Sequence, residues 1–156
     1  NPFAFEPAIA PHIAAREAGV ELTAARLIEA VQPVMARQAG VTLVEGAGGW
    51  RVPLNAREHL SALPAALGLP VILVVGVRLG CINHALLSAE AIARDGLALA
   101  GWVANIIDPA TSRLDDNLAT LAELLPAPCL GQVPRLAAPT ARQVARYLTL
   151  PALQPV

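Results

Sequence analysis

The sequence predicts an α/β fold, a parallel sheet flanked by helices, on two observations. Val71-Ile72-Leu73-Val74-Val75 is an unbroken aliphatic run, the pattern of a strand buried on both faces of a sheet. Segments of 10 to 15 residues with helical spacing alternate with this run and with shorter apolar runs, which is the arrangement of parallel strands joined by helical crossovers.

The elements follow in order. Pro2, Pro7 and Pro11 keep the first stretch extended or turning, with helix expected only at about His12 to Glu17. Thr23 is placed as an N-cap for an amphipathic helix over Ala24 to Gln38, with Leu27, Ile28, Val31 and Val34 or Met35 on one face and Gly40 ending it. Thr42 to Glu45 reads as a first strand. Arg57 to Leu67 alternates polar and apolar residues at helical spacing until Gly68 and Pro70 stop it. After the Val71 to Val75 strand come a helix over Gly80 to Ala93, a strand over Gly101 to Asn105 and a helix over Arg113 to Leu125. A short strand at Cys129 to Val133 and a helix at Ala141 to Leu148 complete the pattern. No internal repeat or low-complexity linker interrupts it, so residues 1–156 are expected to form a single α/β domain, or part of one.

Composition narrows the function classes. Hydrophobic residues make up 55% and charged residues 15% of the chain, an apolar balance that suggests surface covered by more than solvent. Arg, Asn, His, Gly and Pro break every apolar run before the roughly 18 residues that a membrane span needs. No basic-then-apolar leader is read at the start, and Cys81 and Cys129 lie far apart without metal-ligand spacing, so a reduced, cytoplasmic setting is expected. A net charge of -1 with scattered arginines excludes an electrostatic footprint for nucleic acid. The chain contains no lysine, and therefore no GxxxxGK[ST] phosphate-binding loop.

In parallel sheets ligands bind beyond the carboxyl ends of the strands, and each predicted end offers a distinctive group. The first ends in Glu45-Gly46-Ala47-Gly48-Gly49: one carboxylate beside nearly bare backbone, able to place amides against phosphate while Glu45 holds the accompanying magnesium. A plain strand followed by a flexible turn accounts for the same residues. Gly80-Cys81-Ile82-Asn83-His84 opens a helix whose free amides and positive dipole end suit an anion, with Asn83 adding a side-chain hydrogen bond; a helix start with a packed cysteine is the alternative. Asn105 has donors and an acceptor for the edge of a purine, although asparagine at a strand end is also a turn former. His12, His59 and His84 have no ligand-spaced partners, Trp50 and Trp102 read as packing, and Asp108, Asp115 and Asp116 as a solvated loop and first helical turn.

Together, Asn1-Pro2-Phe3-Ala4-Phe5, Pro11-His12, Val44 to Trp50, Leu69 to Gly76, Leu79 to Ala85 and Ala100 to Asn105 resemble, in order and spacing, the dethiobiotin synthetase family of biotin biosynthesis. That resemblance implies a P-loop NTPase-like sheet and a homodimeric ligase. Such an enzyme converts 7,8-diaminopelargonate, CO2 and ATP to dethiobiotin through a carbamate and a mixed carbamic-phosphoric anhydride. It implies that Glu45 is a Mg2+ ligand, with Gly46, Ala47 and Gly48 beside the nucleotide. Asn105, Ile106, Pro134, Arg135 and Leu136 would lie at the adenine end. Gly80, Cys81 and Asn83 would receive the substrate carboxylate across the dimer interface, which makes Cys81 a binding residue and not a nucleophile.

Family members carry a phosphate-binding loop, a catalytic lysine and a magnesium-sharing aspartate ahead of the segment matching Asn1. The chain is therefore expected to be the C-terminal two thirds of such an enzyme, incomplete at its N-terminus, with no catalytic residue of its own and no activity in isolation. Ala10 and Ala141 are smaller departures from the family's pattern. A regulatory ATPase switch of the partitioning type shares the sheet. It uses a basic amphipathic C-terminal helix, for which Arg142 and Arg146 are too few and Pro151 and Pro155 too disruptive. An amidating synthetase of the cobalamin pathway would need an added glutaminase domain that this length excludes.

Overall fold

The computed structural model describes residues 1–151, so Pro155 lies outside the described residues. The backbone divides into two compact units, Asn1–Leu69 and Pro70–Val156.

The first unit is built from short helices. Helix α1 (Pro11–Glu17) starts with proline at a position where no intrahelical N–H is needed. Helix α2 (Ala24–Met35) is capped as expected, Thr23 Oγ1 accepting from the Arg26 amide at 3.3 Å. It ends earlier than Gln38: the Arg37 and Gln38 amides tighten onto the Val34 and Met35 carbonyls at 3.2 and 3.1 Å, and Gln38 takes a left-handed φ of 50°. A small core of Ala15, Leu22, Ala24 and Leu54, with Phe3, Phe5, Leu27 and Leu60 against it, holds the unit together.

Two expectations in this unit are corrected. Thr42 to Glu45 is not a strand: it has no regular structure and enters no ladder, and Leu43 is 80% exposed. A strand exists only by its hydrogen-bonded neighbours, and β-propensity without a neighbour leaves coil. The helix expected over Arg57 to Leu67 shrinks to α3 (Ala62–Ala66). Asn55 takes the preceding residues out of helix, its Oδ1 accepting from the amides of Arg57 at 2.9 Å and Glu58 at 3.1 Å. An isolated antiparallel bridge between Pro53 and His59 closes that loop.

Asn55 also donates through Nδ2 to the Leu22 carbonyl at 2.8 Å and to Glu58 Oε2 at 2.6 Å. One part-buried carboxamide thus ties the loop to the chain entering α2. Asn55→Ala leaves these groups unpaired and is expected to cost about 2–3 kcal/mol. Urea unfolding monitored by fluorescence checks this, and an unchanged midpoint contradicts it.

The second unit is a three-stranded parallel sheet in the order β1 (Val71–Val77), β2 (Leu99–Ile106), β3 (Cys129–Val133). Helices α4 (Cys81–Arg94) and α5 (Leu114–Leu124) make the two crossovers. Both connections step the same way across the sheet, so right-handed crossovers put both helices on one face. There Val75, Val77, Trp102 and Ala104 pack against Ala85, Ala89, Leu118 and Leu121. Trp102 is 1% exposed, a packing residue as expected, with its Nε1 lacking a partner among the described residues.

The opposite face is covered only in part. Val103, Leu130 and Val133 lie under Val144 from helix α6 (Ala141–Val144), while Val74 on the same side is 61% exposed. The expected last helix is shorter than Ala141 to Leu148: a capping box between Thr140 and Gln143 starts it, and a 3-10 turn over Ala145–Tyr147 ends it. Among the described residues no helix is long and apolar enough to cross a membrane.

Candidate nucleotide and substrate site

In the first unit, Glu45 is exposed and makes no hydrogen bond or ion pair among the described residues. No cluster of three or more His, Cys, Asp or Glu suited to a metal occurs there either. A single free carboxylate fits magnesium nonetheless, because that ion keeps several waters and takes one or two carboxylates together with substrate phosphates.

Of the glycines after Glu45, Gly48 and Gly49 hold positive φ, whereas Gly46 is only closely packed. A Cβ on Gly46 would stand 3.3 Å from Leu60 Cδ2, and one on Gly48, at φ +86°, 3.2 Å from Val52 Cγ2. Gly49 has φ +106° with nothing within 4 Å of a Cβ, so its backbone faces open space. The loop is therefore seated on Val52 and Leu60 through Gly46 and Gly48 and stays bare at Gly49, where a ligand oxygen could approach. Following it, Arg51 Nη1 donates to the buried Ser61 hydroxyl at 3.2 Å and holds the loop's exit.

In the second unit the carboxyl ends of the strands come into register. Asn105 pairs with Gly76 on one side and with Val133 on the other, which brings Asn105 and Ile106 beside the segment Pro134, Arg135 and Leu136. The Asn105 carboxamide has no hydrogen bond among the described residues and is available to a ligand. Arg135 Nη1 donates to the Ile107 carbonyl at 2.7 Å, so the two segments are joined directly.

At the end of β1, Gly80 is the N-cap of α4 with φ 89° and ψ -4°, a left-handed conformation that explains glycine at this position. The Cys81 amide is spent on the Arg78 carbonyl at 3.0 Å, and that of His84 on the Gly80 carbonyl at 3.2 Å. This leaves the amides of Ile82 and Asn83 as the outward donors of the helix start. Cys81 is buried and unpaired as a thiol, which suits packing and not nucleophilic attack, whereas Asn83 is exposed. Arg78, Cys81, His84 and Ser88 line a groove beside β1. The sequence does not single out Arg78, because its spacing announces no partner, and His84 reads there as structural.

Asp108, Asp115 and Asp116 do not gather into a metal site. Asp108 Oδ1 caps the Ala110 amide at 2.9 Å, and Asp115 and Asp116 occupy the first turn of α5, as expected for a loop and helix start. His12 has a buried Nδ1 without a partner among the described residues.

Comparison with known proteins bears on the same segments. The AAA domain family matches residues 1–143. The ATP-dependent dethiobiotin synthetase BioD of Pseudomonas paraeruginosa is 76% identical over 150 residues, covering 96% of this chain and 66% of that protein. The enzyme of the same name from Chromohalobacter salexigens is 58% identical over 163 residues, covering 97% of the chain and 69% of the relative. The chain belongs to the dethiobiotin synthetase family. A further member, from Aromatoleum aromaticum, is 55% identical over 151 residues, with 67% of its length covered. The chain thus spans just under two thirds of the Pseudomonas dethiobiotin synthetase. Membership of the family agrees with the P-loop NTPase-like class expected from sequence, and the parallel sheet with flanking helices is the part of that class seen in Pro70–Val156.

Proposed function

We propose that this chain forms the nucleotide- and substrate-binding part of an ATP-dependent dethiobiotin synthetase, a ligase that forms C–N bonds. The reaction joins CO2 to an amine of 7,8-diaminopelargonate as a carbamate. ATP then phosphorylates the carbamate to a mixed anhydride, and the second amine closes the ureido ring with release of phosphate. The observation that carries this reading is identity of 55% to 76% with enzymes of that name across 96% to 97% of the chain.

Each unit has a proposed share. In the first, Glu45 would hold Mg2+, and the backbone from Gly46 through Ala47 to Gly48 would lie beside the nucleotide phosphates. When bound, the metal supplies charge neutralisation for phosphoryl transfer. In the second, Asn105 and Ile106 with Pro134, Arg135 and Leu136 would form the adenine end. Gly80 and Asn83 would bind the substrate carboxylate around the buried Cys81, which packs the helix start in place, the outward Ile82 and Asn83 amides and the helix dipole supplying the attraction. We further propose a cytoplasmic homodimer with the substrate site at its interface, and one α/β domain as the functional unit. The high apolar content is in keeping with buried surface between subunits.

The test is product formation by the natural full-length protein given 7,8-diaminopelargonate, bicarbonate, ATP and Mg2+. Dethiobiotin and ADP in equal amounts, followed by mass spectrometry and a coupled assay, are expected. ATP hydrolysis without dethiobiotin would replace this reading with the regulatory ATPase switch.

A further inference from the structure

Ile107, the residue just past the end of β2, is held from two sides. Its carbonyl accepts the Arg135 guanidinium at 2.7 Å across 28 residues of sequence. Its side chain lies over Gly76, where a Cβ would stand 2.9 Å from Ile107 Cδ1. Directly beyond, Asp108 closes a turn in which its Oδ1 accepts the Ala110 amide and its carbonyl accepts Thr111 Oγ1 at 2.8 Å. Upstream, Asn105 is fixed by ladders to Gly76 and Val133. The strand end that presents Asn105 is therefore pinned on both flanks, and Arg135 is the side chain that ties it to the segment after β3.

A carboxamide offers an acceptor and a donor side by side, matching the amino group and ring nitrogen of adenine. Turned over, it matches the oxo group and N–H of guanine. Selectivity then depends on holding the amide at one reach and orientation, which requires a fixed backbone beneath it. Arg135 has all its polar atoms as donors, and the one bonded to Ile107 makes a charge-assisted contact with the backbone.

We infer that Arg135 is a positioning residue for base recognition: bonded to the Ile107 carbonyl, it fixes the Asn105–Ile107 backbone and so sets the Asn105 carboxamide for an adenine edge. This rests on the adenine-end reading above, and it assigns Arg135 an action through the backbone and not through the nucleotide.

The experiment compares Arg135→Ala and Arg135→Lys with the unmodified natural full-length protein, using calorimetric binding of ADP, AMP and GDP and steady-state kinetics. Loss of this solvent-exposed hydrogen bond predicts that Arg135→Ala weakens ADP and AMP binding by the same factor, roughly three- to tenfold. The preference for ADP over GDP narrows, and the KM for 7,8-diaminopelargonate stays unchanged. Arg135→Lys, whose ammonium can still reach a carbonyl, recovers most of the preference. Unchanged ADP and AMP binding in Arg135→Ala overturns the inference, as does a lysine variant no better than alanine. A loss that grows with the number of phosphates also overturns it, since that marks direct phosphate contact. Failure of the unmodified protein to bind ADP or AMP removes the adenine-end reading itself, whereas binding that Arg135→Ala leaves intact removes only the clamp.

Discussion

Replacing Glu45 by alanine in the natural full-length protein is expected to lower kcat for dethiobiotin formation by roughly 10²–10³-fold, the several kcal/mol that a correctly placed metal contributes to a transferring phosphoryl group. Glu45 lies exposed, free of any partner among the described residues, beside the glycine loop. Nothing in the packing of the first unit uses its carboxylate, so its loss has no structural route to inactivity. The far-ultraviolet circular dichroism and unfolding midpoint of Glu45→Ala should match the parent. Titration with Mg2+ separates metal binding from other roles: the apparent Mg2+ requirement should rise in Glu45→Asp, whose carboxylate is drawn back by one methylene. Full turnover by Glu45→Ala at limiting Mg2+ would remove this residue from the mechanism.

The largest stability effect is expected at Gly131. A Cβ at this position, at φ +154°, would stand 1.9 Å from the Tyr147 carbonyl oxygen and 2.9 Å from its carbon. The obstacle is backbone, so no rotamer change relieves it, and the segment Tyr147 to Thr149 must leave β3. With it go the bridge between Gly131 and Leu148 and two bonds accepted by the Leu130 carbonyl, from Thr149 N at 2.8 Å and Thr149 Oγ1 at 3.0 Å. Gly131→Ala should cost about 2–4 kcal/mol, within the range for overpacking combined with broken hydrogen bonds. For a domain of this size that corresponds to a fall in Tm of roughly 5–12 °C. Thr149→Ala, which removes only the hydroxyl bond, should cost about 1 kcal/mol. Hydrogen exchange gives the local check, with protection of the Thr149 amide lost in Gly131→Ala. An unchanged Tm with full Thr149 protection would show that the strap does not lie where the backbone places it.

Much of the second unit was legible in the sequence because its signals are local and strong. The aliphatic run from Val71, the Gly80 boundary and the apolar stretch ending at Asn105 each specify an element within a few residues. Observed β1, α4 and β2 extend those expectations by only a residue or two at most ends. Parallel direction followed from alternation alone, since helical crossovers of this length join parallel strands, whereas the order β1-β2-β3 came from the structure. The first unit was less legible. Thr42 to Glu45 has strand-forming residues but no ladder, and Arg57 to Leu60 has helical spacing but is claimed by Asn55. Neither outcome is carried by the segment's own periodicity: the first lacks a strand partner, and the second loses its opening turn to the Asn55 side chain two and three residues upstream.

By itself the sequence determined the fold class, the family and the chemical character of each strand end: a carboxylate beside glycine, a helix start and a lone carboxamide. Those follow from residue type and short spacing, which survive without a partner. Only the tertiary structure decided that Gly48 holds a left-handed turn against Val52, that Asn55 organises the loop after it, and that Arg135 reaches back to Ile107. Each is a contact between residues distant along the chain or between side chain and backbone. Such contacts exist only once the packing has brought their two halves within a few ångströms.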